Sequence, residues 1–415
     1  MTLPAGLHDW NTASGVPALP HVQVNDETLR DGLQSPSAID PPGDAKVRLL
    51  HLMVELGIDA ATIGFPATGP RMLAQCRLLA MEAARQKLPI ALNCVARTLE
   101  QDIAPIAALQ QECGVRLEVG TFIGSSPARQ AAEGWTLELM QRRVDAAVGF
   151  AVREGLDVMF VTEDSTRTPP ATLQALYGTA IARGARRIVV TDTTGHALPD
   201  GTATLVRWAR ETLIGSTGVQ LDWHGHRDRG LAIANCLAAI AAGADRVHGT
   251  ALGVGERCGN AEMDQLLVNL RLMGRTAGDF TRLPEYCRLV SHTIGVRIPS
   301  NYPVIGTDAF RTATGIHASA ILKALARGDQ ALADLVYSSV PASLFGLKQR
   351  VDVSPMSGLS NVRHWLAAHG HDPADETLQH ALLTAAKRAD RVLNNEECEF
   401  ALRSVQRKAE LHVGD

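Results

Sequence analysis

The sequence predicts an α/β fold: a (β/α)8 TIM barrel over residues 1–280, followed over 281–415 by a linker and small, mainly helical subdomains. Three observations predict it. Eight short runs rich in β-branched and apolar residues alternate with stretches whose apolar residues recur at helical spacing. The runs begin about every 25 to 40 residues, the pace of one βα unit. The groups suited to chemistry fall just after the runs, at what would be one rim of a closed barrel. A doubly wound open sheet is the runner-up. No G-x-G-x-x-G follows an early strand, and eight units match barrel closure better.

HVQVND (21–26) is the first strand, and GDAKVRLLHLMVELG (43–57) follows as a helix with Gly57 at its stop. AATIGF (60–65), ALNCVA (91–96) and RLEVGTF (116–122) are strands two to four. The helical stretch 136–155 leads to the fifth strand, VMFVTE (158–163), and 171–185 leads to the sixth, RIVVTD (187–192). VQLDWHGH (219–226) and DRVHGTA (245–251) complete the set around the helix GLAIANCLAAIAAGA (230–244). Past residue 280 the pattern changes. PEYCRLVSHTIG (284–295) is helical, 302–310 an ordered loop, 314–337 mostly helical, 338–361 rich in turn residues, and 375–405 one or two helices.

Composition narrows the function. Over 415 residues, 46% are hydrophobic and 20% charged, which is globular and excludes disorder. Lys+Arg number 40 against 44 Asp+Glu, for a net charge of −4, so no basic field exists to hold a nucleic-acid backbone. No apolar run of about 18 residues is present to span a membrane. The cysteines number seven, with no C-x-x-C, and no basic-then-apolar leader opens the chain. The expected location is a reducing cytoplasm.

The rim carries the candidate site. His224 and His226 stand two apart at the end of a strand, so both imidazoles can face one centre. With Asp31 from the first strand they would make a two-His, one-carboxylate metal site, to which Asn260 could add a neutral oxygen. The competing reading is two satisfied or surface histidines. Arg30, beside Asp31, could grip an anionic substrate with two parallel hydrogen bonds, or form an ordinary surface pair. Arg97 follows strand three, and Ser125 strand four. Glu163 reads as a general base or as the partner of Arg167. Thr193 reads as a donor to a carboxylate or as a helix N-cap. The glycines of ALGVGERCGN (251–260) permit close backbone approach to a ligand. His317, on a helical stretch outside the barrel, reads by itself as structural.

Taken together, DETLRDGLQSP (26–36), EDSTRT (163–168), TDTTGHALP (191–199), HGHRDRGLAIAN (224–235), GERCGNAEMD (255–264), TGIHASAILK (314–323) and VDVSPMSGLSNV (351–362) resemble the metal-dependent Claisen-type acyltransferases. These include 2-isopropylmalate, homocitrate and citramalate synthases. The resemblance runs from about residue 21 to 370. It implies a TIM barrel that binds a divalent ion (Mg²⁺, Mn²⁺ or Zn²⁺) through Asp31, His224, His226 and Asn260. It implies acetyl-CoA as co-substrate and a 2-oxo acid as acceptor, with Arg30 neutralising charge and Thr193 bonding the carboxylate. Glu163, His317 and Tyr337 would form the acid–base apparatus. His317 would come from the partner of a homodimer. Amino-acid biosynthesis is the implied setting.

The chain departs from the family pattern at several places. Thr62 stands where a glutamate is usual, and Thr312 and Ala313 where a His-Glu pair is common. Arg129 replaces a frequent histidine, and Arg227 the usual asparagine. Arg129 is therefore a substrate-binding candidate for a second anionic group. The alternative is that both arginines face solvent or pair with loop acids. A separate feedback domain is not expected. The competing functions are a carbon–carbon lyase of the 3-hydroxy-3-methylglutaryl-CoA lyase or aldolase type, and a non-catalytic metal- or metabolite-binding barrel.

Overall fold

The computed structural model describes residues 7–8, 10–11, 22–276 and 278–412. Contacts divide the chain into two units, Met1–Arg297 and Ile298–Asp415. In the first, β1 (Gln23–Asp26), β2 (Ala60–Thr62), β3 (Ala91–Arg97), β4 (Leu117–Gly124), β5 (Asp157–Glu163), β6 (Arg187–Asp192), β7 (Gln220–Gly225) and β8 (Arg246–Gly249) form a closed barrel in chain order. Every neighbouring pair is parallel, and β8 returns to β1 with Val24 opposite Val247 and Asn25 opposite His248. All eight expected runs are strands. His21, the expected start of the first, lies outside the described residues. The AATIGF run leaves the sheet after Thr62, because Gly64 turns the chain at φ 149° into a 3-10 turn at Pro66–Thr68.

The outer helices are α1 (Gly43–Glu55), α2 (Pro70–Gln86), α3 (Glu100–Cys113), α4 (Pro127–Glu133), α5 (Leu137–Arg153), α6 (Pro170–Ala182), α7 (Pro199–Trp208), α8 (Ala232–Ala241), α9 (Met263–Leu272) and α10 (Leu283–Ile294). Helix α5 shows why they form. Thr136 caps it by accepting from the Leu139 N–H at 3.2 Å. Met140, Val144, Ala147, Val148 and Ala151 then recur at three- and four-residue steps and are all buried. Helix α10 packs with the barrel unit: the Tyr286 hydroxyl donates to Asp26, and the Ile39 N–H to the Ile294 carbonyl at 2.9 Å. The division therefore falls at 297/298, where the sequence suggested 280/281.

The second unit contains α11 (Gly315–Ala326), α12 (Gln330–Leu335), α13 (Leu359–Ala368), α14 (Glu376–Arg388) and α15 (Asn395–His412). A short parallel pair, β9 (Arg311–Thr312) with β10 (Arg350–Val351), sits among them. Val362, Trp365, Leu366, Leu382, Cys398 and Leu402 make its core. Among the described residues, no helix is long and apolar enough to cross a membrane.

Charge occupies the N-terminal end of the barrel interior, where aliphatic layers are the rule. Arg187 and Arg246, which open β6 and β8, each bond Asp222 at 2.6 Å and also reach Glu118. All four are buried or half-buried. Removing one member of such a cluster leaves an opposite charge without a partner. Arg246→Leu is expected to lower stability by about 3–5 kcal/mol, read by denaturant unfolding. A loss below about 1 kcal/mol would mean that water already compensates the pair.

Candidate metal centre and active site

The mouth of the barrel is built from strand ends. The chain leaves β1 in a tight turn in which the Gly32 N–H donates to the Glu27 carbonyl at 3.1 Å. Thr28 Oγ1 accepts from the Ala251 N–H at 2.8 Å, which ties this turn to the loop after β8. Asp31 is thereby carried over the barrel axis. His224 lies within β7, and His226 follows it. The His226 N–H donates to the Asp192 carbonyl at 3.1 Å, and His226 pairs in a β-bridge with Asn260. Gly255, at φ 153°, leaves room for this: a Cβ there would lie 2.2 Å from Asn260 Nδ2.

Three ligand atoms converge. His224 Nε2 and His226 Nε2 are 3.4 Å apart, and Asp31 Oδ2 lies 3.5 and 3.7 Å from them. Those edges are close to the ligand–ligand spacing that an ion about 2.1 Å from each atom imposes. Asp31 Oδ1, His226 Nδ1 and Asn260 Oδ1 are buried without a hydrogen-bond partner. Buried polar atoms are normally satisfied, so the two orphaned oxygens fit a bound cation and its waters. Burial, then the neighbouring His226, pull the His224 pKa down to about 3. Burial also lowers His226. Both rings are then neutral, the form that ligates metal. Burial alone would raise Asp31, but the Arg30 guanidinium beside it holds its pKa below the ordinary value. Imidazole and carboxylate donors suit Zn²⁺ or Mn²⁺, and Mg²⁺ with added oxygen ligands.

Asp31, His224 and His226 line a cavity of about 450 Å³ that also holds Arg30, Arg129, Glu163 and Thr193. Its opposite wall is apolar, made by Phe65, Val95, Phe122, Met159, Val161 and Val189. Burial raises the Glu163 pKa, opposed by Arg129 and Arg30. Arg167 is not the partner of Glu163: it forks onto Asp164 at 2.8 and 2.6 Å. Thr193 caps no helix; Leu198 holds the N-cap of α7. Its Oγ1 accepts from the Asp164 N–H at 2.8 Å and lies 3.1 Å from Thr191 Oγ1. Thr191 donates to the Thr162 carbonyl at 2.6 Å, so in the contact between the two hydroxyls Thr193 is the donor.

Other expected residues stand apart. Arg97 forks onto Asp102 at 2.6 and 2.9 Å, and Ser125 ties β4 to β5 through the Glu163 carbonyl and Thr168. Neither lines the cavity. Arg129 enters it over Gly124, where a Cβ would meet the arginine at 2.3 Å, and pairs with Glu133 at 3.1 Å. Arg227 is spent on Glu262 and the Cys258 carbonyl, each at 2.6 Å. Thr62 donates to Asn93 at 2.6 Å inside the barrel. In the second unit His317 and Tyr337 stack with centroids 3.9 Å apart beside a cavity of about 140 Å³.

Sequence reasoning missed Glu27, His248 and Arg257, all of which line the cavity. Glu27 precedes Arg30 by three residues at the same strand end, so the rim rule already pointed at it. His248 is the inward residue of β8, visible by strand alternation once its register is known. Arg257 is reached only through fold geometry: at φ 56° it bonds Asp228 and the Thr193 carbonyl.

The model of the HMGL-like family matches residues 21–290. Over 373 residues the chain is 34% identical to the homocitrate synthase AksA of Methanopyrus kandleri, covering 89% of this chain and 88% of that protein. Over 312 residues it is 36% identical to the 2-isopropylmalate synthase of Solidesulfovibrio magneticus, covering 73% of this chain and 59% of that one. The solved HMG-CoA lyase of Brucella melitensis superposes with a TM-score of 0.54 at 18% identity, over 66% of this chain and 98% of that one. That likeness is one of fold.

Mn²⁺ titrated into the metal-free protein is expected to bind with a stoichiometry of one. His224→Ala should weaken that binding at least tenfold by calorimetry, while Arg97→Ala leaves it unchanged. Equal Mn²⁺ affinity in His224→Ala and wild type would remove the site.

Proposed function

The chain belongs to the HMGL-like family, and we propose that it condenses acetyl-CoA with a 2-oxo acid to give a 2-substituted malate and CoA. It is an acyltransferase whose acyl group becomes alkyl on transfer. The observation that carries this reading is the donor triangle of Asp31, His224 and His226 beside Arg30 and Glu163 in one cavity.

Asp31, His224, His226 and Asn260 would hold the divalent ion, which supplies Lewis-acid polarisation of the acceptor ketone. Everything else falls to this chain. Arg30 faces the anionic acceptor, and the Thr193 hydroxyl turns from Thr191 to donate to its carboxylate. The apolar wall receives the acceptor's side chain and keeps water from the reacting carbons. A thioester methyl is a weak carbon acid, so its proton must be taken by a base already in place. Glu163 is that base, with His317 and Tyr337 of a partner subunit completing the acid–base set. Both are exposed or partly exposed on their own unit, and Tyr337 is 49% exposed. The enolate carbon then bonds to the ketone carbon. Water cleaves the thioester, leaving a carboxylate and free CoA. A homodimer, a cytoplasmic location and a place in amino-acid biosynthesis belong to the same proposal.

The two curated relatives carry names for different acceptors at nearly equal identity, so identity does not select one. The site offers a clue. Arg129 and Arg257 are partly neutralised by Glu133 and Asp228. An acceptor with an apolar side chain fits this cavity better than a dianion.

The test is product analysis with labelled acetyl-CoA and a panel of pyruvate, 2-oxobutyrate, 2-oxoisovalerate and 2-oxoglutarate. Release of CoA with a 2-substituted malate is expected, and preference for a monoanion over 2-oxoglutarate. Cleavage of 3-hydroxy-3-methylglutaryl-CoA with no condensation would transfer the chain to the lyases. Because burial raises the Glu163 pKa, turnover should climb with pH through a limb above the ordinary glutamate range of about 4.3, as the base loses its proton. Glu163→Gln should cut kcat at least a hundredfold and abolish that limb, with Mn²⁺ affinity intact. An unchanged limb in the variant would assign it to another group.

A further inference from the structure

A continuous run of charged side chains climbs the barrel axis and ends in the active-site cavity. Glu118 accepts from Arg246 at 2.9 Å and from Arg187 at 3.2 Å. Both arginines hold Asp222 at 2.6 Å. His248 Nε2 donates to Asp222 Oδ2 at 2.9 Å, and its Nδ1 donates to Glu27 Oε1 at 3.1 Å. That same Glu27 oxygen accepts from Asn25 Nδ2 at 3.0 Å. The other Glu27 oxygen takes Arg30 by Nε, at 2.7 Å, and by Nη2. Glu27, Arg30 and His248 all line the cavity.

We propose that Glu27 and His248 are positioning residues that aim the Arg30 guanidinium at the acceptor's anionic end. This rests on the acceptor-binding role given to Arg30 above. An arginine at a loop has many rotamers and a planar fork whose orientation decides what it can grip. Here two of its three terminal nitrogens are tied to one carboxylate. Nη1 keeps only long contacts, 3.3 Å to Asp31 Oδ2 and 3.3 Å to Gln34 Oε1. It is therefore the nitrogen left for substrate, and it lies beside the donor triangle. Glu27 in turn has no freedom, because His248 and Asn25 fix its second oxygen. His248 has none either, because both ring nitrogens donate to carboxylates. Rigidity is thus passed upward from the strands to the one guanidinium that must not wander.

A ladder that only stabilised the fold would move every constant together. A positioning ladder separates them. Oxalate, whose paired oxygens imitate the carboxylate and carbonyl of a 2-oxo acid, is the probe for binding to Mn²⁺-loaded protein. In Glu27→Gln, oxalate should bind at least tenfold more weakly and the acceptor KM should rise about tenfold. Mn²⁺ affinity and the acetyl-CoA KM should stay within twofold of wild type. His248→Gln should shift the same constants in the same direction, by about threefold or more. Oxalate affinity within twofold of wild type in folded Glu27→Gln, or parallel losses of Mn²⁺ and acetyl-CoA binding, would overturn the proposal. Should Glu27→Gln not fold, His248→Gln decides by the same constants; failure of both to fold would assign the ladder to stability alone and also overturn it. The oxalate titration needs no turnover. Wild type that binds oxalate but releases no CoA with any 2-oxo acid would sink the condensation reading, not this one.

Discussion

The site depends on the closure of β8 against β1. Asp31 is nearly two hundred residues from His224 along the chain, and nothing local brings them together. The register of β1 on β8 and of β8 on β7 does so. Once that seam is formed, the turn after β1 and the end of β7 are neighbours at one mouth. An open sheet with the same strands would leave Asp31 and the histidines on opposite edges. The hydrogen bond from the Ala251 N–H to Thr28 then locks the two loops on either side of the seam.

Closure also sets the electrostatics. The barrel wall shields its interior from water, so each charge inside must find a partner. Asp222, Glu27 and Glu118 meet Arg30, Arg187, Arg246 and His248 in one connected set. Burial first opposes charge on Asp222, yet the two arginines beside it hold its pKa far below the usual range. Burial lowers the pKa of His224 and His226, neither of which hydrogen-bonds a carboxylate, whereas His248 bonds both Asp222 and Glu27 and its pKa is raised despite burial. The same residue type thus belongs to the donor triangle at the end of β7 and bridges two carboxylates on β8. The difference lies in the hydrogen bonds to carboxylates that the His248 ring makes.

Much of the site was legible because a strand's end is a place where neighbours in space are read from neighbours in sequence. Asp31, His224, His226, Arg30 and Glu163 were found that way, and the cavity contains all of them. Arg97 and Ser125 satisfied the same rule, yet their side chains turn to Asp102 and to the Glu163 carbonyl. A rim position names the candidate; only the competition among nearby hydrogen-bond partners decides which way the side chain goes. Arg227 was lost to Glu262 for the same reason, while Arg129 kept a place in the cavity because Gly124 has no Cβ to exclude it.

From the chain's order alone came the eight strands, their alternation with helices and the residues of the donor triangle, because strand and helix periods and the rim rule are local properties of sequence. The division at 297/298, the inward turn of His248 and the left-handed Arg257 came only from the fold. Those features are set by long-range packing, by which carboxylate reaches which cation across the barrel. No short stretch of residues encodes that distance.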